Sequence, residues 1–178
     1  MRYVIGTVAI LLVACGGNRY GYAPEYAPYG DEDDYYEQAR DLPYEDVRRN
    51  PAEVQNVLIG WFGLVREVTP VQGTAGRVRV RMDLRFHQPR HLCSGEFDDS
   101  CRVTISQKSG GPFTVIMDLA PEDRAGRDRV WAGSLLKVYG HALTEFDEDG
   151  GPVLQAKHYR HWPSGTYVTT GGAATMRR

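Results

Sequence analysis

The sequence predicts a small all-β protein, a barrel of five or six strands with one short helical connector. Apolar and polar residues alternate from Arg77 to His87, which is the period of a strand with one buried face. An Asp-Gly pair at 149–150 separates two apolar runs, as in a β-hairpin. Three strand-like runs also precede a short helical turn, and two follow it. Together these observations indicate an antiparallel sheet that closes on itself.

The first fifteen residues have the pattern of an export signal. A single cation, Arg2, precedes an apolar run that begins at Tyr3. The run is too short to span a bilayer but fits a secretory signal peptide. Residues 12–15, Leu-Val-Ala-Cys, resemble the lipobox of bacterial lipoproteins, which implies that residues 1–14 are removed and that Cys15 carries lipid. The alternative is an ordinary secreted or membrane-anchored N-terminus with a chance cysteine.

An acidic, tyrosine-rich segment follows the cysteine. Residues 19–46 contain nine carboxylates and two cations. With its prolines and glycines, this composition buries too little apolar area to fold alone. Residues 15–46 are therefore predicted to form a disordered tether. Its tyrosines make it either a solvated linker or a set of docking anchors for the cell wall or a partner.

The next residues change from helical to strand-like patterns. Two short helical turns are predicted between Leu42 and Asn56, the second with Asn50 as N-cap and Pro51 as its first residue. The continuous apolar run 57–65 predicts a strand, and its two glycines suit a bulge or bend. In the following strand, 77–87, alternation assigns these residues to one buried face: Val78, Val80, Met82, Leu84 and Phe86.

The C-terminal half completes the barrel. Residues 101–107 and 113–119 are predicted to pair as a hairpin, and Pro121 begins the short helical connector. Strands 134–144 and 152–162 flank the Asp-Gly turn. This order resembles an OB-fold, a five-stranded Greek-key barrel, with its helix between the third and fourth strands. A small antiparallel sandwich is the alternative.

Two boundaries complete the predicted domain organisation. The OB-like domain is predicted to span residues 47–168, after the tether. Residues 169–178 contain the run Gly-Gly-Ala-Ala, and they are predicted to form a flexible tail.

Two cysteines remain if Cys15 is lipidated. They are Cys93 and Cys101, and an even remainder in an exported protein predicts one disulfide. A metal site with the nearby His87 and His91 and a pair of free thiols are the alternatives. The spacing matches none of the usual zinc patterns.

Three stretches resemble the Slp family of outer-membrane lipoproteins. They are the Asn-Pro pair at 50–51 before strand 57–65, the run Gly133-Ser134-Leu135-Leu136-Lys137-Val138-Tyr139-Gly140, and the closing run His158-Tyr159-Arg160-His161-Trp162-Pro163. The chain departs from the family pattern at Trp61-Phe62 and in its cysteine pair. The resemblance implies an outer-membrane lipoprotein with an OB-like domain and no established catalytic site. Gly16, after the lipobox cysteine, likewise resembles the outer-membrane sorting pattern.

Candidate binding residues come from two strands that combine cations with aromatic side chains. They are Arg77, Arg79, Arg81, Arg85, Lys157, Tyr159, Arg160 and Trp162. Because OB-folds bind oligosaccharides and oligonucleotides on a strand face, these residues predict a site for anionic glycans or lipid headgroups. The alternative is a solvated face whose arginines pair with carboxylates on neighbouring strands, such as Glu67.

The sequence carries no motif of a known catalytic class. It has no serine or cysteine nucleophile motif, phosphate-binding loop or zinc-protease helix, so neither enzymatic activity nor a cofactor is expected. His141, His158 and His161 are either a metal site or scattered surface histidines. The predicted function is a lipid-anchored, non-catalytic structural or interaction module on the periplasmic face of the outer membrane. Its expected partners are the membrane and envelope polymers or proteins, and nucleic acid is not expected.

Overall fold

The computed structural model describes residues 21–23, 26–88, 91–93 and 102–176. These ranges contain five short helices and nine strands. The helices are α1 (Glu32–Gln38), α2 (Tyr44–Arg49), α3 (Pro51–Val54), α4 (Pro121–Arg124) and α5 (Thr170–Met176). The strands are β1 (Gly21–Ala23), β2 (Ile59–Pro70), β3 (Arg77–Arg85), β4 (His91–Cys93), β5 (Thr104–Ile105), β6 (Pro112–Asp118), β7 (Leu135–Phe146), β8 (Pro152–Trp162) and β9 (Val168–Thr169). None of the described helices is long and apolar enough to cross a bilayer.

Five strands close into a barrel. Their order is β2-β3-β6-β8-β7, with β7 returning to pair with β2. β6 and β8 run parallel, and every other pair in the barrel is antiparallel. The helix α4 lies between the third and fourth barrel strands along the chain. This arrangement confirms the predicted OB-like barrel and its helical connector, with five strands rather than six.

The barrel interior is filled by the apolar face of each strand. Alternation in β3 places its valines, Met82 and Leu84 inside, as predicted. Opposite them, β6 contributes Phe113, Val115 and Met117. Each large apolar side chain removed from water in this way stabilises the fold by about 1.5–3 kcal/mol. The alternation ends at Leu84, however, because β3 ends at Arg85, and Phe86 is exposed rather than buried.

Glycines allow close approach at two points in the barrel. Gly63 faces the interior, where a Cβ atom would lie 2.7 Å from the ring of Phe113. Gly140 lies at a bulge in β7, and a Cβ atom there would lie 2.7 Å from the carbonyl oxygen of Gln155. The bulge in β2 lies between Val65 and Glu67, beyond the glycines that suggested it.

Residues 26–46 pack on the barrel, so the predicted tether is wrong for this part of the chain. Tyr26 and Glu32 are buried against the outer face of β7 and β8, and Tyr44 joins the main core. A prediction from average composition cannot detect these contacts, because they join a few residues to specific partners far away in the sequence. The helices α2 and α3 occur as predicted, with Pro51 as the first residue of α3 and Asn50 as its N-cap, although the Asn50 side chain makes no capping hydrogen bond.

The C-terminal end is also folded where a flexible tail was predicted. β9 pairs in parallel with β5, and Ala173 in α5 is buried. The predicted hairpin between 101–107 and 113–119 is therefore wrong, because β5 pairs with β9 while β6 pairs with β3 and β8. The small residues of α5 permit this close packing, since a Cβ atom at Gly171 would lie 3.1 Å from Gln107.

The cysteine predictions fall largely outside the described residues. Cys15 and Cys101 both lie there, and so does the side chain of Cys93. The backbone of Cys93 pairs with Gly21, where β4 meets β1 in a two-stranded sheet. The predicted lipidation and the predicted disulfide both remain predictions.

Candidate functional site

Three of the four strand arginines form a row on the outer face of the barrel. Arg77, Arg79 and Arg81 alternate with the buried residues of β3. Each contacts a polar side chain from a neighbouring strand or hairpin: Gln155 at 2.7 Å from Arg77, Glu145 at 3.1 Å from Arg79, and both Glu67 at 3.4 Å and Asp149 beside Arg81. The alternative in which these arginines pair with carboxylates such as Glu67 is confirmed for Arg79 and Arg81, whereas Arg77 bonds the side-chain amide of Gln155. The row is therefore a mixed-charge surface.

Arg85 does not belong to this row. Its side chain is buried at the end of β3, where the guanidinium donates to the carbonyl oxygen of Gln107 and lies 3.5 Å from Asp83. It is therefore not available to a ligand on the outer face.

The predicted basic and aromatic residues of β8 divide between two faces of the strand. Tyr159 points towards α4, where its hydroxyl donates to Asp123 at 2.6 Å and accepts from the amide of Ala120 at 2.8 Å. Arg160 lies on the opposite face, 4.7 Å from the ring of the buried Trp162. Only Lys157 is exposed. Three of the four residues, Lys157, Tyr159 and Arg160, nevertheless line one cleft of about 550 Å³, and Trp162 is not among its lining residues.

A fully buried carboxylate organises the face that carries Arg160. Glu32 of α1 accepts hydrogen bonds from the hydroxyl of Tyr139 at 2.7 Å and from the hydroxyl of Tyr26. Its second oxygen accepts from Arg160 at 3.1 Å and from the amide of Tyr29 at 3.1 Å. These contacts join residues 26–32 to β7 and β8. We call residues 26–38 the strap, because they lie across the barrel and are fixed there through Glu32.

Electrostatics fit this arrangement. Burial, together with the neighbouring Glu32, raises the pKa of both Tyr26 and Tyr139, so both phenols remain protonated hydrogen-bond donors. Burial would lower the pKa of Arg160, but Tyr26 and Glu32 outweigh it and raise that pKa. Arg160 therefore keeps its positive charge beside Glu32 in the folded protein.

Lys137 is a buried cation beside the strap. Its side chain is 7% exposed, and its ammonium donates to the carbonyl oxygen of Gly60 at 2.9 Å and lies 4.6 Å from the centre of the Phe62 ring. Burial lowers the pKa of Lys137 to about 8, although Asp41 and Glu32 oppose the shift. A charged lysine here therefore opposes folding at neutral pH.

Replacing Lys137 by methionine should raise the free energy of unfolding by about 1–3 kcal/mol at pH 7, because it removes a buried charge and keeps the apolar stem. The folded protein releases the Lys137 proton near pH 8, whereas the unfolded chain holds it to about pH 10.5. Wild-type stability therefore rises across that interval relative to the variant. Urea unfolding at pH 7 and pH 10 measures how far the difference in free energy of unfolding between wild type and Lys137→Met shrinks. Lys157→Met, at an exposed site, is the control, and a variant no more stable than wild type at pH 7 would contradict the assignment.

A chain of hydrogen bonds joins α4, β8 and the turn before β7. Asp123 lies 2.7 Å from Nδ1 of His161, and Nε2 of His161 lies 3.0 Å from the hydroxyl of Ser134. This is the connectivity of a hydrolase triad. Ser134 is fully buried, however, and its hydroxyl also accepts from the amide of Trp131. The cleft that Lys157, Tyr159 and Arg160 line is also lined by Asp123 and His161 but not by Ser134. We interpret this chain of hydrogen bonds as a structural connection between α4, β8 and the turn before β7.

This arrangement has no signal in the sequence, because the three residues are separated by 11 and 27 positions and form no local motif. Glu32 likewise belongs to no local motif, and it lies in a segment predicted to be disordered. No sequence signal marks either site.

Asp123→Asn should lower the free energy of unfolding by about 1–3 kcal/mol at pH 7, because the amide weakens the hydrogen bonds to His161 and Tyr159. Burial opposes ionisation of Asp123, but those two hydrogen bonds outweigh it and lower its pKa. The stabilisation is thus present above the ordinary value of 3.8 and is lost as the pH falls through the lower folded value. The stabilities of wild type and Asp123→Asn should therefore converge at low pH, and thermal unfolding between pH 7 and pH 2 measures this. The exposed Asp118→Asn is the control, and a pH-independent difference would argue against the assignment.

The histidines lie in separate environments. His158 stacks on Tyr35 with ring centres 4.8 Å apart, whereas His161 belongs to the chain with Asp123. Within the part of the chain that the structure describes, no three histidine, cysteine or acidic side chains gather as metal ligands would.

Comparison of the chain with protein-family models, with curated proteins and with solved structures gives no match.

Proposed function

We propose that the protein is a lipid-anchored, Slp-like component of the bacterial cell envelope, a non-catalytic structural or interaction module. The observation that carries the proposal is the run Leu12-Val13-Ala14-Cys15 after a short apolar segment, the arrangement of a lipoprotein signal. Cys15 is the lipidated residue, and the outer membrane, on its periplasmic side, is the location.

The geometry of the folded domain supports a module without catalysis. Catalytic serines must reach both their base and a substrate, whereas Ser134 reaches His161 but is fully buried. Glu32 is likewise buried and hydrogen-bonded on both oxygens. Such satisfied polar clusters are typical of residues that rigidify a fold.

Membrane fractionation tests the anchor. In a Gram-negative host, wild type should be in the outer-membrane fraction and leave it only with detergent, whereas Cys15→Ala should be absent from that fraction. Cys93→Ala is the matched control and should fractionate as wild type does. Equal fractionation of wild type and Cys15→Ala would contradict the proposal.

The second candidate function is binding of anionic glycans or lipid headgroups by the β3 row of Arg77, Arg79 and Arg81. It is favoured by the regular spacing of these cations along one strand face. It predicts binding that weakens steeply with ionic strength and that is lost in Arg79→Glu combined with Arg81→Glu. Carboxylates already pair with Arg79 and Arg81 in the folded protein. Unchanged binding in that double variant would exclude this row as the site.

A further inference from the structure

A second surface of the barrel, the groove beside Trp131, also carries arginines. An open groove of about 590 Å³ lies where the end of β2 and the start of β3 meet α4 and residues 129–132. Half of the residues that line it are apolar: Val68, Pro70, Val78, Leu119, Val130, Trp131 and Ala132. Its volume is in the range of pockets that bind small molecules, about 300–1,000 Å³.

Trp131 is the exposed tryptophan of the chain. Its side chain is 45% exposed, whereas Trp61 and Trp162 are 1% and 4% exposed. The guanidinium of Arg129 lies 4.9 Å from the centre of the Trp131 ring, within the range of a cation–π contact. An aromatic side chain kept in water beside an apolar groove is typical of a binding surface.

The charges at the groove are unbalanced. Four arginines and one carboxylate line it. Arg77 also belongs to the β3 row, Arg66 is paired with Asp83, and the carboxylate, Glu67, is paired with Arg81. Arg124 and Arg129 donate only to backbone carbonyl oxygens, those of Leu119 at 2.8 Å and Gly126 at 2.9 Å. Among the described residues, neither has a carboxylate partner, in contrast to Arg79 and Arg81.

We propose that this groove binds a small amphipathic anion. The phosphate or carboxylate of the ligand is held by Arg124 and Arg129, since guanidinium groups bind such anions with paired hydrogen bonds. The apolar body of the ligand lies along Val68, Val130 and Trp131. The inference rests on the second candidate function for its ligand class but assigns a different site, and it does not depend on the lipid anchor.

Tryptophan fluorescence tests the proposal directly. The full chain carrying Cys15→Ala, which needs no detergent, is titrated with octyl phosphate below its critical micelle concentration. Because the other two tryptophans are buried, a blue shift and protection from acrylamide report on Trp131. Octyl glucoside and inorganic phosphate provide the neutral amphiphile and the bare anion, and each should bind at least about tenfold more weakly.

Variants assign the site. Arg124→Gln combined with Arg129→Gln should weaken octyl phosphate binding at least about tenfold, whereas Arg79→Gln combined with Arg81→Gln should leave it unchanged. Calorimetry on the Trp131→Phe variant confirms that the optical signal arises from the groove. Absence of binding, equal affinity for octyl glucoside, equal affinity for inorganic phosphate, or full affinity in the Arg124 and Arg129 double variant would each overturn the proposal. Loss of binding in the Arg79 and Arg81 variant alone would assign the ligand to the β3 row.

Discussion

Glu32→Gln should lower the free energy of unfolding by about 3–5 kcal/mol. The substitution keeps the size of the side chain but removes its charge, which leaves Arg160 without its buried partner. The amide can also offer only one acceptor oxygen to the donors that Glu32 now satisfies, including the hydroxyls of Tyr26 and Tyr139. Urea unfolding followed by circular dichroism measures the loss.

A second measurement separates the strap from the barrel. Hydrogen exchange of the intact Glu32→Gln variant should speed up most in residues 26–38, because Glu32 fixes them to β7 and β8. Glu37→Gln, at an exposed site on the same helix, is the matched control and should change stability by less than about 0.5 kcal/mol. A Glu32→Gln variant as stable as the Glu37→Gln variant would show that the carboxylate does not hold the strap.

Trp61→Ala should be about as destabilising, with an expected loss of about 3–5 kcal/mol. The Trp61 ring packs inside the barrel at 5.3 Å from the ring of Phe113, and its indole nitrogen donates to the carbonyl oxygen of Leu42 at 2.9 Å. The substitution therefore leaves a cavity in the core and removes a connection between the barrel and the segment before it. Guanidinium unfolding measures the change.

The chain supplies its own control for this experiment. Trp131→Ala removes the same side chain from an exposed position, so we expect a loss below about 0.5 kcal/mol. Trp61→Phe should fall between the two, because it refills part of the cavity. Similar losses for Trp61→Ala and Trp131→Ala would contradict the packing described for the barrel.

The barrel could be predicted because its signals are local. Alternation in β3 assigned Val78, Val80, Met82 and Leu84 to the interior, and the Asp-Gly pair between β7 and β8 marked their hairpin. These patterns depend on the period of the strand and on turn chemistry, which neighbouring residues determine. The position of α4 followed from another local signal, Pro121 at the start of the helix.

The strap could not be predicted, because its stability comes from pairs that are far apart in sequence. Glu32 and Tyr139 are 107 residues apart, and Glu32 and Arg160 are 128 residues apart. A rule based on the average composition of residues 15–46 cannot register one carboxylate that finds buried donors. For the same reason, the acidic segment was predicted to be disordered although much of it is packed.

The candidate sites could likewise be predicted only in part, because they too depend on contacts between residues far apart in sequence. The β3 row was recognised from its spacing, but the partners of Arg81 lie 14 and 68 positions away. The groove around Trp131 is built from β2, β3, α4 and residues 129–132, so no single stretch of sequence marks it. Charge pairing, which decides whether an arginine is available to a ligand, becomes visible only in the folded chain.

Mass spectrometry of the mature N-terminus, from protein isolated from native membranes, decides whether the protein is anchored through Cys15. We expect a first peptide that begins at Cys15 and carries the added mass of lipid. A peptide that begins at Met1, or a processed chain without lipid at Cys15, would contradict this expectation.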